Sequence, residues 1–262
     1  MNKIDIITAY YNQNVYLTEY LTYLDKFILP KFGNKVNIIL IDDGSKEYPA
    51  RDFLPKLTHT NLDLYEIEED IPWNLSGGRN LGVHVARSNN VCYIDIDSLL
   101  TVNHINELLD INIKDKEIYQ FPCYDYKFFN FITNKFVYRN LPSPFFMKKQ
   151  DFLQHPMDED FCGNWGYENI HWLKVLSKNK FIKKTLKNSL MVATKTNIDN
   201  DNLSLTKFDQ KQKKWKKRAG GTNLFRDRAI NLKLYNEKLK DLKVPENILR
   251  FNYKLIFSNN EL

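Results

Sequence analysis

The stretch VNIILIDDGS, residues 36–45, is apolar and mostly β-branched, apart from Asn37, until it meets Asp42 and Asp43. A strand exposed on one face alternates apolar with polar, whereas one covered on both faces reads as a short continuous apolar run. The run therefore predicts a central strand of a parallel sheet, with its carboxylates at the exit. NVCYIDIDS, residues 90–98, repeats the design and ends in Asp95 and Asp97.

Around these two runs the chain alternates. IDIITAYY (4–11) and LDLYEIEE (62–69) read as further strands. NVYLTEYLTYLDKFIL (14–29) spaces its apolar residues as a helix does, and SGGRNLGVHVARSN (76–89) opens on glycines and continues as a helix. Strands alternating with helices argue for an α/β, doubly wound, mostly parallel sheet. In such sheets ligands bind in the crevice at the carboxyl ends of the strands. Asp42, Asp43, Asp95 and Asp97 are thus expected on one rim.

Past residue 115 the pattern changes. EIYQFPCYDYKFFNFITNKFVYRN (117–140) is aromatic and alternating, with a turn signal at TNK (133–135), so an antiparallel hairpin is expected. YENIHWLKVLSKNK (167–180) predicts a helix with Ile170, Leu173 and Leu176, plus Trp172, on its apolar face. Beyond 200 the chain is polar, lysine-rich and predicted helical. The expected division is a main domain over 1–200 and a basic helical extension over 201–262 packed on it.

The bulk composition sets limits. The 262 residues are 43% apolar, enough for a sizeable core, and carry 38 basic against 32 acidic side chains, a net charge of +6. That mild excess suits an anionic small molecule or a membrane surface and does not call for nucleic acid. The three cysteines, Cys92, Cys123 and Cys162, are odd in number and widely spaced, which argues against a disulfide framework or a zinc knuckle and for a reducing compartment. MNKIDIITAYYNQ has no apolar run of leader length, and no window approaches a membrane span. A cytoplasmic location is expected, with a peripheral membrane contact as one reading of the basic tail.

Three motifs carry chemistry. YIDID places Asp95 and Asp97 two residues apart at a strand end, where both can reach one hard cation such as Mg²⁺ or Mn²⁺. In IDDGS a carboxylate can accept from a base or ribose, and Gly44 allows close approach. SGGRNLGV sets Arg79 and Asn80 at a helix start, where main-chain N–H groups attract anions; no GK[ST] follows, so it is not a Walker loop. Each has a plain structural alternative: turn carboxylates, an Asp-Gly turn and a helix cap, respectively.

Taken together with IITAYYNQ and FFMKKQDFLQHPMDEDFCGNWGYENIHW, these motifs resemble, over residues 4–195, the nucleotide-sugar glycosyltransferases of family 2, with the fold called GT-A. The resemblance implies roles. Thr8 and Tyr10 flank the nucleotide, and Asp43, with Asp42 beside it, lies near the base. Arg79 lines the diphosphate side. Asp95 faces ribose or donor sugar and joins Asp97 as a ligand of Mn²⁺ or Mg²⁺. Trp165, Gly166, Glu168 and Asn169 floor the acceptor and donor-sugar side.

This chain departs from the family pattern twice. Many inverting members carry the catalytic base as the second carboxylate of an ED pair, and here the pair is Glu168-Asn169. An amide cannot serve as a general base. Three readings stay open: Glu168 is itself the base; Asp158, Glu159 or Asp160 serves; or the protein binds without turnover or follows another stereochemical course. Relatives also often place a metal-binding histidine beyond this helix, and no histidine follows His171 in this chain. His171 is either a substitute or a packing residue.

The basic run KFDQKQKKWKKRAGG (207–221), with Trp215 among its lysines, reads as a lid closing on a diphosphate, a membrane contact or a solvated helix. The expected activity is transfer of a hexose or N-acetylhexosamine from a nucleotide diphosphate sugar, UDP-linked by preference, to a saccharide acceptor, with inversion and a metal. The rivals are a non-catalytic nucleotide-sugar or glycan binder on the same scaffold and a nucleotidyltransferase. TAYYNQN, lacking glycine and lysine, speaks against the latter.

Overall fold

The computed structural model describes residues 3–130, 135–192, 208–209, 214–215 and 224–259. The four expected strands form as β1 (Ile4–Tyr10), β2 (Val36–Asp42), β3 (Asn61–Ile67) and β4 (Asn90–Tyr93). β1 runs parallel to both β2 and β4, and β2 runs parallel to β3. Side chains from successive residues enter opposite layers. Ile6, Ile38 and Leu40 join the cluster under α1 (Asn14–Tyr23), while Ile7, Ile39 and Ile41 join the cluster under α2 (Leu75–Val85). Apolar burial on both faces is why these strands lack alternation. Gly82 sits where α2 crosses β1: a Cβ there would overlap the Ile7 side chain, so the helix approaches this closely only with glycine.

After the two-residue strand β5 (Ser98–Leu99) and α3 (Val102–Asp110), the hairpin appears as β6 (Glu117–Asn130) and β7 (Lys135–Lys148). It is longer than the aromatic run suggested. Lys135, expected in the turn, already pairs with Asn130, and the turn residues 131–134 lie outside the described residues. β7 docks antiparallel on β4, which carries the hairpin into the main sheet. α4 (Lys149–Gln154) and α5 (Glu168–Lys178) follow, then β8 (Ile182–Thr185) parallel to β6, and β9 (Met191–Val192) on β5.

The C-terminal region departs from an all-helical expectation. β10 (Phe208–Asp209) pairs with β11 (Lys214–Trp215), and α6 (Leu224–Lys238) is the helix. The last strand, β12 (Tyr253–Ser258), pairs antiparallel with β3 and gives an eight-stranded sheet in the order β12-β3-β2-β1-β4-β7-β6-β8. YKLIFS suits an open sheet edge, where main-chain hydrogen bonds are available to any β-prone segment. The rest of the lysine-rich run 207–221 lies outside the described residues. Among the described residues no helix is long and apolar enough to cross a membrane.

Candidate active site

The ends of β1, β2 and β4, together with the 165–170 segment that leads into α5, enclose a cavity of about 420 Å³. Tyr10, Asp43, Asp95, Asp97, Trp165, Gly166, Glu168 and Asn169 all line it. The convergence expected at the carboxyl ends of the strands is present for three of the four strand-end carboxylates.

Arg79 organises the wall behind the cavity. It is completely buried on α2, with its guanidinium 4.2 Å from the centre of the Tyr93 ring. One amino group bonds the Asn169 side-chain oxygen; the other bonds Ser143 and lies 3.5 Å from Asp95. Ser143 in turn donates to Asp95 at 2.9 Å. Arg79 therefore acts on the cavity through Asp95, Ser143 and Asn169.

Asn169 accepts a charge-assisted hydrogen bond from Arg79 as a neutral partner. Glu168, beside it in the first turn of α5, is 6% exposed, and its Oε2 has no hydrogen-bond partner among the described residues. Burial raises its pKa above the usual carboxylate range, with Arg79 and the Trp73 side chain pulling the other way. The chain enters this helix through Gly166 and Tyr167, at φ +103° and +72°. This left-handed entry turns the start of α5 toward the cavity.

The alternative base segment points elsewhere. Asp158 pairs with Lys238 at 2.6 Å and accepts from the Asp160 N–H. Glu159, 4% exposed, accepts from Asn80 and from the main-chain N–H groups of Leu249 and Arg250. Asp160 bonds Lys238 and Arg250, which hold its pKa below the usual range. None of the three lines the cavity; they fasten the C-terminal segment to the domain. Asn80, next to Arg79, completes this fastening by bonding both Met157 N–H and C=O.

Other expected site residues fall outside the cavity. Asp42 accepts from the N–H groups of Ser45 and Ala50 at 3.0 and 2.7 Å and so shapes the loop after β2. Thr8 is buried against the Tyr20 hydroxyl at 3.2 Å. His171 is buried against Phe161, with a pKa lowered by burial, which places it in packing rather than at a cation. Trp172 packs on Phe145 and Phe152 and donates to the His155 carbonyl at 2.7 Å. Ile170, expected on the apolar face of α5, is 45% exposed at the cavity, while the expected Trp172 and Leu176 form the core face together with Val175.

Asp43, just after β2, is the carboxylate of that strand end that faces the cavity. It accepts from Asn74 at 3.0 Å, and burial pushes its pKa up to about 8. For a cation, Asp95 and Asp97 share the cavity wall, and no group of three or more His, Cys, Asp or Glu side chains with metal-ligand geometry occurs among the described residues. Two carboxylates fit a hard cation that keeps water or phosphate oxygens as its remaining ligands. Cys92 and Cys162 are free; the Cys123 side chain lies outside the described residues.

Several lining residues carried no sequence signal. Trp73 sits edge-on to Trp165 with ring centres 6.3 Å apart, and Asn74, Tyr11, Ser143 and Arg228 also line the cavity. Trp73-Asn74 immediately precedes the glycine-opened helix, which was the available hint. Arg228 had none, because it lies far along the chain on α6.

The family model for glycosyl transferase family 2 matches residues 5–170. No curated protein matches the chain. Among solved structures, S. aureus TarS 1–349 in complex with UDP-GlcNAc is similar at 14% identity and TM-score 0.54, over 72% of this chain and 57% of that one. A Drosophila β1,4-galactosyltransferase 7 mutant, in complex with manganese, UDP-Gal and xylobiose, aligns at 14% identity and TM-score 0.47, over 74% of this chain and 68% of that one. The TarS likeness bears on the fold, and this chain spans little more than half of that structure.

Proposed function

The chain belongs to glycosyltransferase family 2, and from that premise we propose that it moves a hexose or N-acetylhexosamine from a UDP-linked sugar to a saccharide hydroxyl with inversion. The observation that carries the reading is Glu168: a buried carboxylate on the cavity wall, its Oε2 unclaimed and its pKa raised by burial. Such a group takes a proton from an acceptor hydroxyl near neutral pH, as a general base must. Trp165 and Trp73 offer apolar ring faces for a sugar. Asp43 and Tyr10 serve the nucleotide end, and Arg79 holds Asp95 through Ser143 and in direct ion pairing. Asp95 and Asp97 would hold Mn²⁺ or Mg²⁺, which when bound supplies charge to offset the departing diphosphate.

A second reading, a nucleotide-sugar binder without turnover, draws on one observation. Asn169, at the position of the family's usual base, is committed to Arg79. One experiment separates the two: release of nucleoside diphosphate from UDP-, GDP- and dTDP-sugars, UDP-GlcNAc first, with Mn²⁺, Mg²⁺ or EDTA. The transferase reading expects turnover of one donor, lost on Glu168→Gln, on Asp97→Ala and on chelation. Nucleotide binding with no release under any condition or acceptor would establish the binder.

A further inference from the structure

Helix α6 lies beyond the stretch matched by the family model, yet it reaches the cavity. Asn231, one turn along α6 from the lining residue Arg228, is fully buried. Its side-chain amide donates to the carbonyls of Phe161, Asn164 and Gly166 at 3.1, 2.9 and 2.9 Å. Three acceptors around one amide group pin the helix to the turn that carries Trp165. Arg228, Asn231, Tyr235 and Lys238 recur at helical spacing and share a face. Tyr235 packs on Tyr167 with ring centres 5.3 Å apart, and Lys238 closes on Asp158 and Asp160. Arg228, one turn before Asn231, is thereby set 5.5 Å from the Trp165 ring centre and 5.7 Å from that of Tyr167.

The cavity wall carries the carboxylates Asp43, Asp95, Asp97 and Glu168, and Arg228 is the cation among its lining residues. Among the described residues no carboxylate pairs with it. Two aromatic faces steady the guanidinium, and its forked N–H donors stay open to a planar or tetrahedral oxyanion. Among the described lining residues Arg228 is the side-chain cation, so it offers a fixed place at which such a group can lie.

We propose that Arg228 is an oxyanion-binding residue of this site, gripping a phosphoryl or carboxylate group of the bound ligand, with Asn231 as its positioning residue. The proposal rests on the transferase reading and deepens it. The oxyanion belongs either to the donor diphosphate or to an acidic acceptor, and the test distinguishes the two. Arg228 is exposed on its helix, so Arg228→Ala and Arg228→Lys should fold.

Calorimetry would measure uridine and UDP affinity at fixed Mn²⁺, and steady-state kinetics would compare neutral with acidic acceptors. If the oxyanion is the diphosphate, Arg228→Ala weakens UDP roughly tenfold or more while uridine holds, and lysine restores part of the loss. If it belongs to the acceptor, UDP affinity stays and kcat/KM falls only for the acidic acceptor. Unchanged UDP affinity together with unchanged acceptor preference overturns the proposal. Asn231→Ala should repeat the Arg228→Ala pattern in weaker form; a lower Tm with no ligand-specific change overturns the positioning role. A wild-type chain that binds no nucleotide sinks the transferase reading, a distinct failure from a binding wild type that Arg228→Ala leaves unaltered.

Discussion

Asp158, Glu159 and Asp160 sit against the C-terminal strap, while Glu168, a short loop later, faces the cavity. Both segments carry a carboxylate, and either offered a base from sequence. Lys238 and Arg250 hold Asp160 in its charged form below the usual carboxylate range. Burial drives Glu168 the other way, and one of its oxygens is left without a partner. A carboxylate whose lone pairs are taken by cations and amides is a fastener, whereas one that is desolvated with an oxygen left unpartnered is suited to accept a proton. The proposed base is therefore the carboxylate that faces the cavity with one oxygen unpartnered, and its assignment rests on that setting rather than on how acidic its segment is.

The largest expected effect tests that contrast directly. Glu168→Gln should lower transfer about 10²- to 10⁴-fold with UDP affinity retained, whereas Asp158→Asn should stay within about threefold of wild type. The reverse pattern in the same nucleotide-release assay would break the comparison.

Next in size is the structural role of the fasteners. Glu159→Gln leaves the Arg250 N–H facing an amide, and should destabilise the fold by about 1–3 kcal/mol in urea titration. Its kcat per folded molecule should not change.

The two kinds of carboxylate should also show opposite pH slopes. Asp160 has a lowered pKa, so its contribution is present above the unfolded-state value and fades as acid protonates it. Asp43 is raised to about 8 by burial, so its contribution is present below the unfolded-state value and is lost as pH climbs through about 8. Asp43→Asn should therefore flatten the alkaline fall in stability between about pH 4 and 8, and Asp160→Asn should flatten the acid fall. Urea midpoints across that range check both; parallel curves for wild type and Asp43→Asn would remove Asp43 from the cavity group.

The smallest effect sharpens the comparison. Asn169→Asp puts a second carboxylate beside Glu168, making this segment more like 158–160. Like-charge repulsion then raises the Glu168 pKa further, and the acid limb of the kcat/KM profile should move to higher pH, by less than about one unit next to Arg79. A shift to lower pH would mean that Glu168 is not the titrating base.

Much of the fold was legible because burial writes itself into local pattern. IILI (38–41) and VCYI (91–94) are continuous apolar runs because both faces are covered, and the carboxylates that follow mark the rim that lines the cavity. The 117–140 hairpin was legible as pairing, but its reach into the sheet was not, since docking on β4 is a long-range choice. Helical periodicity points Ile170 to the core, but it identifies an apolar face without saying where the helix turns it. The Phe145–Phe152–Trp172 packing sets that rotation.

By itself the sequence determined the layered α/β plan, the rim where Asp43, Asp95 and Asp97 meet and the family to which the motifs point, because these follow from short-range periodicity and strand-end chemistry. Only the tertiary structure decided which acids are fasteners and which face the cavity, that Asn169 answers Arg79, and that Arg228 joins the wall. Those outcomes depend on partners brought from distant parts of the chain, and a side chain's desolvation and hydrogen bonds are properties of its surroundings, not of its own residue type.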